Sequence, residues 1–172
     1  KSSDLNRFGG RFKYSKVLNV IDNIDKSITS NITRVKIRRN LNALINQFAQ
    51  YELCFGNRFN VKPEGLNIKS TGFRIQGQSD TVFITDTPNA DKLTGVISIV
   101  KRDETTGTNI VVVKSAGTVD YVHGEVNLTT INITETEKGN NIIEVQAFPE
   151  SNDVIGLQDL YLDFNIPSST IN

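Results

Sequence analysis

The chain has 172 residues, with 19 Lys/Arg balanced by 19 Asp/Glu, one cysteine, and neither tryptophan nor methionine. This length buries a full core in one ordinary domain, or in a domain with a smaller lobe, without a covalent staple. Zero net charge argues against a general polyanion binder, and one thiol excludes an internal disulfide framework or a zinc site built on several thiolates.

The charge is unevenly placed. Residues 1–69 hold 13 basic and 5 acidic residues, whereas residues 70–172 hold 6 and 14. Such a split suits either solvated faces of opposite sign or docking against complementary copies and neighbours. No run of 18 apolar residues and no basic-then-apolar leader occurs, so the expectation is no membrane span and no secretion signal. A start at Lys1, with no methionine anywhere, reads as a piece of a longer or processed chain.

In chain order, residues 1–12 form an exposed lead-in broken by Gly9 and Gly10. Ser15 is placed to cap a short helix from Lys16 to about Ile24, with Val17, Leu18 and Ile21 on one face. The stretch "SNITRVKIRRN" then alternates with period two, Thr33, Val35 and Ile37 against Arg34, Lys36 and Arg38. That is a half-buried strand with a basic outer face. "LNALINQF" sets Leu41, Leu44, Ile45 and Phe48 at helical spacing, yet is too short to separate a helix from an irregular crossing.

From Tyr51 onward the runs are β-branched or aromatic and bounded by turn residues. "DETTG" predicts a hairpin joining the strands around Ile99 and Val111, His123 and Gly124 another joining 118–122 to 125–135, and "KGNN" at 138–141 a turn for the next pair. Links this short require antiparallel neighbours. Leu160, Leu162 and Phe164 alternate as a late edge strand that Pro167 stops. The reading is a mainly β, α+β domain with antiparallel sheets and a short N-terminal helix. Residues 1–69, the helix and basic strand region, pack with 123–172 as one main domain, and 70–122 form an inserted or protruding β meander.

Motifs for chemistry are sparse. His123, followed by glycine between two strand-like runs, reads as a hairpin-turn residue rather than a catalytic base or metal ligand. Asp120 and Glu125 flank the same turn and supply a carboxylate pair for a hydrolase reading, but any β protein with this many acids offers such pairs. Cys54, between Leu53 and Phe55, reads as a buried thiol. Phosphate-loop and dinucleotide fingerprints are missing, and the Asn-x-Ser/Thr triplets at Asn31, Asn127 and Asn132 read as chance. No catalytic, cofactor-binding or metal-binding residue is assigned. The basic strip has no interleaved aromatic residue for stacking bases, so Arg34, Lys36, Arg38 and Arg39 are read as solvated strand face or as a protein interface where guanidinium groups meet carboxylates.

"FGGRFKYSKVLNVIDNIDKSITSNITRVKIRRNL" followed by "YELCFGNRFN", with "GTVDYVHGEVNL" and "NDVIGLQDLYLDF" downstream, resembles the C-terminal portion of the gene product six baseplate wedge protein family of T-even-type contractile-tailed phages, and more distantly the baseplate J-like proteins. The resemblance implies a non-enzymatic structural subunit of the virion tail, assembled in the host cytoplasm, with no cofactor and with no nucleic-acid or membrane partner. It further implies self-contacts and contacts with other wedge proteins, in a ring around the tail hub that rearranges on sheath contraction. A carbohydrate- or receptor-binding β module, using Tyr51 or Phe59 as platforms, is the alternative from another class.

Overall fold

A computed structural model describes residues 11–24, 31–32, 34–157, 160–164 and 170–171. Among these, β1 (Arg11–Phe12) and α1 (Tyr14–Asp22) precede β2 (Asn31–Ile32), β3 (Val35–Asn42) and β4 (Phe48–Cys54). Next come β5 (Lys69–Ser70), β6 (Phe73–Ile75), β7 (Gln78–Pro88), β8 (Thr94–Arg102), β9 (Asn109–Asp120) and β10 (Glu125–Thr136). The last four are β11 (Ile142–Ala147), β12 (Val154–Ile155), β13 (Leu160–Phe164) and β14 (Thr170–Ile171).

Two antiparallel sheets dominate. Strands β6 to β9 pair in sequence, and β10 pairs with both β6 and β9, which closes a five-stranded barrel. Along part of its length β10 also carries β4. Closure follows from short turns between long strands: Gly107 and Gly124 take positive φ in the two predicted hairpins, and closing the sheet removes exposed edges. At Gly124 a β-carbon would also lie 2.2 Å from the Asn57 carbonyl oxygen, so this position admits only glycine. Val82, Ile84, Ile97, Ile99, Val119, Val126 and Ile133 are buried with the rest of the core. Burying each such side chain contributes roughly 1.5–3 kcal/mol.

The second sheet has the order β13-β3-β11-β5. The basic strand is therefore interior to this sheet, with Arg39 opposite Val145 on one side and Leu160 on the other. Val35 and Ile37 are buried in its inner face, as the alternation predicts, and Leu41, read at helical spacing, continues that face. The meander expected over 70–122 lies within the barrel, which runs on through β10 to Thr136.

Several local expectations are corrected. The helix starts at Tyr14 rather than Lys16, with Lys13 at its N-cap and no side-chain cap. Ser15 sits inside it; the Tyr14 backbone N–H is taken instead by Asp153 Oδ1 at 2.9 Å. "LNALINQF" is not a helix but an irregular crossing between the two sheets: the end of β3, a turn with Asn46 at φ 60°, and the start of β4. Leu44 and Phe48 are exposed, so their helical spacing came from no common buried face. "KGNN" turns the chain between sheets: β10 and β11 belong to different ones and do not pair. Cys54 is half-buried, not buried, because Leu53 and Phe55 take the inward positions on either side of it. Gly9, Gly10, Thr33 and Pro167 lie outside the described residues.

Candidate interaction surface

The structure separates the four basic residues singled out in the sequence. Arg38 lies on the outer face of the second sheet, where its Nη1 is 3.0 Å from Glu144 Oε1 and its guanidinium stands 4.7 Å from the centre of the Tyr161 ring. Lys138 Nζ donates to the same Glu144 oxygen at 2.7 Å. The Lys138 bond, with the Arg38 charge next, holds the Glu144 carboxyl below its ordinary range against the opposing effect of burial. Three strands are tied together by this group, since Arg38 and Glu144 come from β3 and β11 and Tyr161 from β13.

Arg39 points the other way, with the apolar side of β3. Its Nη1 donates to the Cys54 carbonyl at 2.7 Å, joining the second sheet to β4 and so to the barrel. Among the described residues, the Nε atoms of both Arg38 and Arg39 are buried without a hydrogen-bond partner. Arg38 thus ties strands within the second sheet, and Arg39 ties that sheet to β4.

Arg34 and Lys36 instead border concave surface. Arg34 lines a cleft of about 560 Å³ with Lys62, Lys69, Asn60 and Asn67. Lys36 lines an adjacent hollow of about 140 Å³ that shares Asn67 and Lys69 with it. The loop forming one wall is built on a buried carboxylate. Asp86, 2 % exposed, accepts from Ile68 N at 2.7 Å, Asn67 Nδ2 at 2.8 Å and the Tyr121 hydroxyl at 2.6 Å. Burial first, then the bond and charge of Asp86, push the Tyr121 phenol far above its ordinary value. The loop passes so close that a β-carbon at Gly65, whose φ is +81°, would lie 2.6 Å from the Asp86 carbonyl oxygen. Asn67 completes the clasp by accepting from Lys62 N at 2.7 Å. Lys62 and Lys69 carry no motif and no periodic signal, so sequence reasoning missed them; only the fold sets them beside Arg34.

Other candidates from the sequence fall elsewhere. Asp120 and Glu125 face each other across the β9–β10 hairpin, and Asp120 accepts from the backbone of Val122 and His123 and contacts the His123 ring. Phe59 is 1 % exposed and packs edge-on against Phe55 at 5.1 Å, which removes it as a sugar platform. Tyr51 is half-buried, with its hydroxyl accepting from Leu44 N. Among the described residues no three His, Cys, Asp or Glu side chains cluster as a metal site, and no helix is long and apolar enough to cross a membrane.

Fold and surface together define a mainly antiparallel β domain, a closed barrel with an appended sheet, that presents a basic concave face. Residues 1–40 match a family model described as baseplate structural protein gp6, C-terminal domain III. The match supports a relation to this structural family of phage baseplates over the stretch that contains α1 and all four basic residues of the strip. No curated protein and no solved structure matches the chain.

Proposed function

We propose that this chain is a structural, non-enzymatic part of a phage tail baseplate wedge. In this reading it self-associates and contacts other wedge proteins, in a ring around the tail hub that rearranges on sheath contraction. Its place is the virion tail, after assembly in the host cytoplasm. The observation that carries the reading is the match of residues 1–40 to the baseplate family. The unequal charge of the two parts of the chain supports it, because subunits that meet copies or neighbours select those contacts by complementary charge.

The contact residues in this reading are Arg34 and Lys36, which border open concave surface, whereas Arg38 and Arg39 act on the scaffold behind them. Light scattering over a concentration series tests self-association, with salt as the second variable. Growth in mass that recedes with added salt is expected. A strict monomer at the highest concentration would remove self-association from the proposal for this chain.

A further inference from the structure

The cleft that Arg34 borders has a chemistry of its own. Lys62 and Lys69 line it and are exposed, and Lys36 lines the adjoining hollow. Among the described residues none of these three lysines has a carboxylate within ion-pair distance, in contrast to Lys101 and Lys138 elsewhere on the surface. The one carboxylate lining the cleft, Glu150, is paired with Arg58 at 3.1 Å. Three ammonium groups along the cleft and the adjoining hollow thus make no ion pair, although Asp163 stands opposite Lys36 across the β3–β13 pairing and the whole chain is neutral. The exposed Asn60 and Asn152 line the same cleft, whereas the Asn67 amide is taken up in the clasp with Asp86 and Lys62, and Leu66 is 46 % exposed there.

We propose that this cleft seats an extended acidic segment of a partner protein, whose carboxylates pair with Lys36, Lys62 and Lys69. Amides match the N–H and C=O groups of a peptide backbone, and Leu66 offers an apolar contact between charges. A nucleic acid fits less well. It brings a continuous row of phosphates, whereas the basic strip ends where Arg38 is engaged by Glu144 and Arg39 by the Cys54 carbonyl. Protein contact is also the premise of the baseplate reading, but the cleft's chemistry does not depend on which assembly supplies the segment.

The test is fluorescence anisotropy on the intact chain with three labelled probes: a peptide alternating Glu with Gly and Ser, the same peptide with Gln for Glu, and a single-stranded oligonucleotide of similar length. The Glu peptide is expected to bind at low salt, to bind better than either other probe, and to weaken at least tenfold in the double variant Lys62→Glu, Lys69→Glu. Lys114→Glu, an exposed charge reversal on β9, serves as the control and keeps binding. Should the double variant lose its circular dichroism spectrum, Lys62→Ala and Lys69→Ala singly replace it, with a smaller loss expected from each. The proposal is overturned by no binding of the Glu peptide, by equal binding of the Gln peptide or of the cleft variants, or by tighter binding of the oligonucleotide. Light scattering on the same variants separates the remaining occupant. Loss of self-association in variants that also lose peptide binding leaves the acidic segment in place and assigns the lysines a second role; loss of self-association in a chain that never bound the peptide makes the occupant a second copy.

Discussion

The barrel and the second sheet are held together by opposite strategies. From β7 to β10 the barrel is a run of hairpins in which each strand meets its sequence neighbour, and only the return of β10 to β6 is long-range. The second sheet instead gathers strands from 35–42, 69–70, 142–147 and 160–164. Local pairing needs little beyond alternating apolar residues and a competent turn. Assembly from distant segments needs specific polar ties, and the sheet has them in Arg38 with Glu144 and in Arg39 with the Cys54 carbonyl. Apolar pattern makes the barrel, and directed polar contacts locate what is attached to it.

The sharpest way to break this division is at Asp86, the point where the barrel holds the cleft loop. Asp86→Ala leaves the Tyr121 hydroxyl, the Asn67 amide and Ile68 N without their acceptor in a buried site. Urea unfolding is expected to show a loss of about 3–5 kcal/mol, with the cleft loop opening first in hydrogen exchange. A loss under about 1 kcal/mol would mean that the loop is held by its backbone path alone.

A smaller effect separates neighbours on the basic strand. Arg39→Met keeps the apolar stem but removes the bond to the Cys54 carbonyl, and is expected to cost about 2 kcal/mol in the same unfolding measurement. Lys36→Met, at the edge of the hollow, is expected to stay within about 0.5 kcal/mol of the parent. Equal costs at the two positions would erase the distinction between scaffold and surface. Weaker again is the outer-face pair. A double-mutant cycle of Arg38→Met with Glu144→Gln should return a coupling of roughly 0.5–1 kcal/mol, because Arg38 is shared with the Tyr161 ring and Glu144 with Lys138.

These contrasts also mark how far the sequence could be read. Alternation in "TRVKIR" predicts the buried Val35 and Ile37, and the turn residues predict two hairpins, since both signals lie within a few residues of one another. What sends Arg38 outward and Arg39 inward is also period two, but Arg39 breaks the rule that an inward position is apolar, and its reason lies in β4, at Cys54. Asp86 in "FITDTP" reads as the end of a strand; its clasp on Asn67 and Tyr121 is a property of the closed barrel. Lys62 and Lys69 fall in a stretch with no periodicity, and the cleft they line exists only once β7 has caught the loop between them. Pattern registers which way a residue faces far better than it registers what that residue meets.

The His123 turn offers the gentlest probe, confined to a hairpin the sequence already located. Asp120 accepts from the backbone of Val122 at 2.8 Å and of His123 at 2.9 Å, and its Oδ2 lies 2.8 Å from His123 Nδ1. The bond to Asp120, and then its charge, raise the His123 pKa above its ordinary value, whereas the His123 ring and then its backbone N–H lower that of Asp120. A raised histidine contributes stability that is complete below its ordinary value of about 6.5 and is lost as pH rises through the folded value. A lowered aspartate contributes stability that is present above about 3.9 and is lost as pH falls through its folded value. The turn is therefore tightest in mildly acidic solution and loosens on both sides. The His123 ring proton followed by NMR should titrate with a midpoint above 6.5, and Asp120→Asn should bring that midpoint back toward it; a midpoint at or below 6.5 in the parent chain would show that the imidazole does not hold this contact in solution. Because His123 is exposed, salt should diminish the difference between parent and variant, whereas the backbone bonds to Asp120 should keep the hairpin closed throughout.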